Sequence, residues 1–226
     1  MPPLKAVALS DQIADHLAQQ IIHGELAAGA RLQENELAKQ LDVSTNSLRE
    51  AFRLLEARHL IEIAPRRGAR VCEVSEAQVQ ELYDFLFLLL SQLAARAARV
   101  WEPGELDELA RMLPELERLH KMGDIAGAHR MVFQVLPNML VFARNNYMAR
   151  AISDLIPLLQ RFSYMALTAE TSEFDVSLRI FQRLLINVLA RDADAAASDI
   201  REYGENQCRI VLRALARRDA PAAAAQ

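Results

Sequence analysis

Apolar residues recur every three or four positions along most of the chain, a spacing that predicts a mostly helical protein. In the first sixty residues this spacing marks three helices. The first carries Ile13, Leu17 and Ile21 on one face and ends at Gly24. The apolar faces of the second and third helices consist of Leu37, Ala38 and Leu41, and of Leu48, Ala51, Phe52 and Leu55.

The spacing changes after His59. Leu60, Ile61 and Ile63 favour a β-strand, residues 65–68 form a turn, and residues 70–72 can return as a second strand. Three helices followed by a hairpin are the element order of a winged helix-turn-helix.

Beyond residue 73 the pattern is helical only. Ser75 and Gln78 form a capping box, which predicts a new helix and a domain boundary. The predicted fold is mainly α, with an N-terminal winged helix-turn-helix that carries a small β-hairpin and a C-terminal all-α helical bundle. The predicted segments are a flexible arm (1–9), the DNA-binding domain (10–73), the helical effector and dimerisation domain (74–218) and a disordered tail (219–226).

Charge and composition narrow the classes of protein. The net charge is −4, but residues 39–70 hold seven Lys or Arg against four Asp or Glu, which is a modest basic patch. Cys72 and Cys208 lie far apart and form no CxxC motif, so a disulfide framework or a cysteine zinc site is not expected. The longest apolar run, Phe85–Leu90, is too short to span a bilayer, and the chain begins without a signal-peptide pattern. We therefore expect a cytoplasmic protein without membrane contact.

The polar face of the third helix is the candidate for reading DNA. Thr45, Asn46, Arg49 and Arg53 follow one another at spacings of three and four residues, so they form one stripe. Asn can pair with adenine and Arg with guanine in the major groove. The hydroxyl of Ser44, at the start of the helix, suits a phosphate.

The tip of the hairpin supplies more positive charge. Arg66, Arg67 and Arg70 surround Gly68, whose missing side chain lets the backbone come close to a nucleic acid. These arginines could bind phosphates or enter the minor groove. Each one alone could equally be a solvated surface residue, but the combination with the helix stripe favours DNA binding.

Residues 10–74 resemble the winged-helix domain of the GntR family of bacterial regulators. The resemblance rests on segments spread over nearly the whole domain: 21–26, 29–32, 36–38, 41–44, 48–51, 54–56 and 67–71. Thr45, Ser47 and His59 depart from it, since the family usually has Arg, Pro and Gly there. The missing Arg at position 45 puts the usual family operator in doubt.

The helical remainder resembles the FCD-type effector domain of the FadR-like subfamily, in length, in helix number and in the segment Ala190–Ala196. Many such domains bind a divalent metal through one Asp and three His. The resemblance places Arg130 at the Asp and Gln134, Phe181 and Tyr203 at the three His. No histidine follows His129, and residues 125–153 contain no Asp or Glu. We therefore expect no metal and no cofactor, with Asp124 and His129 as surface groups.

Those four positions predict an effector pocket. Arg130 would supply a cation for a carboxylate or phosphate, and Gln134 and Tyr203 would supply hydrogen bonds beside Phe181. They could also simply fill a core, in which case the domain would only dimerise. No Gly-rich phosphate loop, GxSxG or HExxH motif points to an enzyme. The expected function is a homodimeric transcription regulator, such as a repressor, that binds a palindromic double-stranded operator and a small-molecule effector.

Overall fold

The computed structural model describes residues 9–64, 68–170 and 172–219. The chain divides into two compact units that meet between Val74 and Ser75. Arg66 and Arg67 lie outside the described residues, as do nearly all of the predicted arm and tail.

The first unit contains three helices and a small antiparallel sheet. Its elements in order are α1 (Leu9–Ile22), β1 (Arg31–Leu32), α2 (Glu34–Gln40), α3 (Thr45–Ala57), β2 (Ile61–Ala64) and β3 (Gly68–Val71). The strand order is β1-β3-β2, with Ile61 opposite Val71 and Arg31 opposite Arg70. The hairpin was predicted, whereas β1, which is only two residues long, was not.

The core of this unit lies between α1 and α3. The apolar faces that the spacing predicted for both helices are buried: Ile13, Leu17, Ile21, Leu48, Ala51, Phe52 and Leu55. An ion pair of 2.7 Å between Arg58 and Asp15 joins the same two helices at the surface. His59 follows α3 with a left-handed φ of +58°, and the N–H of Leu60 then donates to the carbonyl of Leu55. The chain turns from α3 into the hairpin at this residue.

The second unit is built from helices throughout its described residues. Its elements are α4 (Glu76–Val100), α5 (Asp107–Lys121), α6 (Ile125–Met139), a 3-10 turn (Leu140–Ala143), α7 (Asn146–Ala169), α8 (Glu173–Leu189) and α9 (Ala193–Asp219). The capping box of Ser75 and Gln78 starts α4, as predicted. Together the two units confirm the predicted fold class.

Two contacts hold α4 in the bundle. Where α4 crosses α9, Gly204 faces Phe87 so closely that a Cβ on residue 204 would lie 2.4 Å from the ring. At the end of α4, the guanidinium of Arg191 lies 4.6 Å from the centroid of the Trp101 ring and donates to the carbonyls of Arg99 and Trp101. The crossing therefore depends on the missing side chain of Gly204, and the end of α4 is held by the side chain of Arg191.

None of the described helices combines the length and the apolarity that a membrane span needs.

Candidate functional sites: an exposed helix stripe and a buried cavity

The stripe on α3 lies on the exposed side of the first unit. Ser44 caps the helix, since its Oγ accepts a hydrogen bond of 3.1 Å from the N–H of Ser47. The side chains of Thr45, Asn46, Arg49 and Arg53 are all exposed. The amphipathic pattern explains this placement, because the opposite face of α3 is buried against α1.

Arg49 has a partner that the sequence analysis did not single out. Its Nε donates to a carboxylate oxygen of Glu34 at 2.8 Å, and 58% of the Arg49 side chain is exposed. Glu34 is the first residue of α2, so the pair links the two helices of the helix-turn-helix. An exposed pair of this kind adds little stability, but it limits the directions in which the guanidinium can point.

The hairpin places a further arginine beside the predicted ones. Gly68 begins β3 with a left-handed φ of +81°, a conformation that glycine adopts without strain. Arg70 is exposed and lies opposite Arg31 of β1, which is exposed as well. Arg31 therefore joins Arg70 on the described part of the hairpin, and the sequence analysis missed it because β1 was not predicted.

Apolar cavities lie between the helices of the second unit. One, of about 120 Å³, is lined by apolar side chains of α4, α5, α6, α8 and α9, among them Leu93, Met112 and Val135. A second, of about 80 Å³, shares Phe181 with the first and adds Tyr83, Ser163, Tyr203 and Gln207. A small space of about 20 Å³ continues toward His129. These spaces share lining residues and so form one buried site region, which we call the bundle cavity.

The polar groups at the edge of the bundle cavity are mostly paired. Burial raises the pKa of Tyr203 to about 12, although hydrogen bonds with Ser177 and Ser163 oppose the shift. Behind them, the Glu173 carboxylate accepts hydrogen bonds from Ser177 Oγ at 3.0 Å and from Asn206 Nδ2 at 2.7 Å. Burial nonetheless raises the pKa of Glu173 above its ordinary value of 4.5.

Comparison with known proteins identifies both units. Residues 9–71 match the family of bacterial regulatory proteins known as the gntR family, and residues 81–206 match the FCD domain. The FCD match alone covers more than half of the chain.

This chain is a GntR-family regulator of the FadR-like, FCD-containing branch.

Relatives of this regulator carry the names of transcription regulators. Over 122 residues, 54% of this chain and 55% of the relative, it is 32% identical to the HTH-type transcriptional regulator McbR of Escherichia coli. Over 180 residues, 78% of this chain and 71% of the relative, it is 27% identical to the gluconate operon transcriptional repressor of Bacillus licheniformis. The match to McbR thus spans about half of that protein's length.

Two solved structures share the fold. E. coli McbR/YncC has a TM-score of 0.79 at 23% identity, and the match covers 92% of this chain and 98% of that one. A putative GntR transcriptional regulator from Rhodococcus sp. RHA1 has a TM-score of 0.73 at 21% identity, with 90% and 97% covered. The GntR-family protein is accordingly a DNA-binding transcription regulator with an FCD effector domain.

The structure brings together only two of the four residues predicted for the effector pocket. Phe181 and Tyr203 line the bundle cavity, with ring centroids 5.1 Å apart. The prediction for Arg130 and Gln134 was wrong, because both side chains are exposed on α6. His129 and Phe133, each one position earlier on α6, do line the cavity, since consecutive helix residues point about 100° apart.

The FCD family implies a metal in this region, and the residues present do not fit one. His129 is buried, contrary to the expected surface position, and its Nε2 lies 2.9 Å from the carbonyl oxygen of Gln160. Phe133, Phe181 and Tyr203, its neighbours in the cavity wall, offer one phenol and two hydrocarbon rings. Within residues 9–64, 68–170 and 172–219, no three His, Cys, Asp or Glu side chains converge. A divalent ion needs several such ligands.

Asp124, also expected as a free surface group, has a structural position. It is partly buried at the start of α6, where its carboxylate accepts a hydrogen bond of 2.8 Å from the N–H of Gly127. Asp124 is therefore a helix cap, and nothing in its surroundings connects it with the bundle cavity.

Proposed function

We propose that this protein is a homodimeric repressor that binds a palindromic operator. A small organic molecule, held without a metal in the bundle cavity, would weaken or strengthen its binding to that operator. The observation that carries the proposal is that the chain has both an exposed polar stripe on α3 and an apolar cavity between the helices of the FCD unit. Since its target is chromosomal DNA, it would act in the cytoplasm.

The DNA-binding part rests on the geometry of α3 and the hairpin. Asn46 and Arg49 would contact base edges in the major groove, while Ser44 and Arg53 would contact phosphates on either side. Arg49, held by Glu34, is the side chain whose direction is best defined. Arg31 and Arg70 would bind the backbone or the adjacent minor groove, and we propose the same role for Arg66 and Arg67, which lie outside the described residues.

The homodimer rests on α4. Phe85 and Leu88 are 49% and 59% exposed, one turn apart, on a helix whose other side packs against α9. We assign this face to a second copy of the chain, because a two-fold axis repeats the same patch on both partners. A single winged helix reads only a few base pairs, so a dimer is also what a specific operator requires.

Binding to DNA is tested by selecting operators from a random duplex pool with the full-length protein and then measuring the affinity of Arg49→Ala. We expect a loss of about 1–3 kcal/mol with relaxed base preference at one position. Arg150→Ala, which removes an exposed arginine from α7, is the control and should bind as the wild type does. Unchanged affinity of Arg49→Ala at fixed salt would show that α3 is not the reading helix.

The dimer is tested by light scattering on Leu88→Asp. This variant should be monomeric at micromolar concentrations, because a buried carboxylate at the contact is costly to desolvate. Ile186→Asp, at a 65% exposed position on α8, is the control and should stay dimeric. A wild-type protein that is monomeric both free and on DNA would refute the proposed dimer.

A further inference from the structure

We infer that the effector is an uncharged, mostly apolar molecule of one ring or two fused rings that carries a hydroxyl group for Tyr83 and Gln207. This inference rests on the proposed function, because it names the chemical class that the bundle cavity takes. It replaces the anionic ligand that Arg130 suggested at the level of sequence.

The size of the ligand follows from the cavity. The two larger spaces measure about 120 and 80 Å³ and share Phe181. For comparison, an engineered apolar cavity of about 150 Å³ binds benzene. The rings of Tyr83, Phe87, Phe181 and Tyr203 stand in the wall of the second space, and a flat ring packs well against such a surface.

The charge of the ligand follows from the wall. Among the described residues, no Lys, Arg, His, Asp or Glu lines either of the two larger spaces. The carboxylate of Glu173 lies directly behind Gln207, so an anion entering the cavity would meet a second negative charge or force a proton onto it. An anion would also lose its hydration without gaining a cation. The bundle cavity therefore selects against carboxylates and phosphates.

Two buried polar atoms at the cavity point to the polar group of the ligand. The hydroxyl of Tyr83 and the Oε1 of Gln207 have no hydrogen-bond partner within the described part of the chain, and these residues are only 3% and 1% exposed. Buried polar groups are almost always paired. The Nε2 of Gln207 donates to Glu173, which leaves Oε1 as the free acceptor.

A hydroxyl on the ligand pairs both atoms at once. It donates to Gln207 Oε1 and accepts from the Tyr83 hydroxyl. Tyr83 lies on α4 and Gln207 on α9, so the bound hydroxyl bridges the two helices that cross at Gly204. Since α4 also carries Phe85 and Leu88 on its exposed face, the ligand can change the position of the proposed dimer contact.

The experiment compares benzyl alcohol with benzoate, which have similar size and differ in charge. Both are titrated into the full-length protein, with calorimetry and the melting temperature as readouts. We expect benzyl alcohol to raise the melting temperature and benzoate to bind at least about tenfold more weakly, because the anion is desolvated without a partner. Tyr83→Phe should lower the affinity for benzyl alcohol by about fivefold to tenfold, the usual value of one hydrogen bond. Tyr147→Phe, at an 89% exposed tyrosine, should leave it unchanged.

The outcomes separate cleanly. Benzoate binding as tightly as benzyl alcohol, or no binding of benzyl alcohol at millimolar concentration, overturns the inference. Wild-type affinity for benzyl alcohol in both single variants, Tyr83→Phe and Gln207→Met, also overturns the inference. If Gln207→Met fails to fold, Tyr83→Phe decides alone. Operator binding by the ligand-free protein is measured in parallel. If the ligand-free protein does not recognise an operator, the proposed function is contradicted. If it binds the operator but does not prefer benzyl alcohol to benzoate, only this inference is contradicted.

Discussion

The two candidate sites of this regulator work under opposite physical conditions. The stripe on α3 and the hairpin is exposed, polar and rich in arginine, and its described ion pairs, Arg49 with Glu34 and Arg70 with Glu62, lie in water. The bundle cavity lies between helices and is apolar, and the carboxyl group bonded to its lining residue Gln207, that of Glu173, is buried with a raised pKa. Binding at the first site depends on charge, and binding at the second depends on the removal of apolar surface from water.

The difference teaches that the two functions can be perturbed separately. Long-range charge interactions are screened by salt, whereas burial of apolar surface is not. Changes in the packing of α4 and α9 are made within the second of the two compact units into which the chain divides at residue 74. Each prediction below uses one of these differences.

The largest effect is expected from salt. Raising the salt from 50 to 200 mM should weaken operator binding by about a thousandfold or more, if the dimer neutralises six to ten phosphates. Binding of benzyl alcohol in the bundle cavity should change by less than about twofold, since apolar transfer is insensitive to ionic strength. Fluorescence anisotropy and calorimetry on one preparation measure both. A steep salt dependence of benzyl alcohol binding would contradict the difference proposed between the two sites.

The next effect is on the stability of the second unit. Gly204→Ala places a methyl group against the ring and Cβ of Phe87, so the bundle must shift. We expect a loss of about 1–3 kcal/mol in the free energy of unfolding, as for overpacked cores. Denaturant unfolding measures it. The double variant Gly204→Ala with Phe87→Leu should recover part of the loss, and equal stability of wild type and single variant would contradict the close crossing.

A smaller effect, of opposite sign, is expected in the first unit. His59 adopts a left-handed φ of +58°, where glycine is favoured over residues with a Cβ. His59→Gly should therefore raise the free energy of unfolding by about 0.5–1 kcal/mol, after the added chain entropy of glycine is subtracted. Asp42→Gly is the matched control at φ +52°. Its gain should be smaller, because Asp tolerates this conformation better than most residues.

The smallest effect concerns pH. Burial raises the pKa of Glu173 above its ordinary 4.5 despite three hydrogen bonds, so its contribution to stability is full below pH 4.5 and is lost as pH rises through the folded value. The stability of wild type relative to Glu173→Gln should therefore fall as pH increases. Glu115 is the control of opposite sign, because its hydrogen bond with Arg118 lowers its pKa. The stability relative to Glu115→Gln should fall as pH decreases. Unfolding curves of the wild type and both variants, recorded at pH 8 and at a pH below 4.5, measure these two opposite trends.

The exposed stripe could be predicted from sequence because the apolar pattern of α3 alone fixes which of its side chains face solvent. Once Leu48, Phe52 and their neighbours face the core, Thr45, Asn46 and Arg49 must face solvent. No knowledge of the rest of the fold is needed for that step. The partner Glu34 and the neighbour Arg31 could not be found this way, since they reach the site through tertiary contacts and a two-residue strand.

The lining of the bundle cavity depends on which face of each helix points inward, and the sequence defined this face least well for α6. Helix α6 carries apolar or aromatic residues around much of its surface, including Met131, Val132, Phe133 and Val135, so its inward face is ambiguous from spacing alone. The resemblance placed Arg130 and Gln134 inward, whereas His129 and Phe133, one position earlier, line the cavity. The positions on α8 and α9 did line the cavity, because Phe181 and Tyr203 each lie on a clear apolar face.

The close crossing at Gly204 has a consequence for how this lineage can change over generations. As long as residue 87 is a large aromatic ring, a mutation that adds a side chain at position 204 is selected against. A smaller residue at position 87 has to arise first, and it would open the wall of the cavity before position 204 could close it again. The order of these two substitutions is therefore constrained, and a protein that carries only the first would have a roomier bundle cavity.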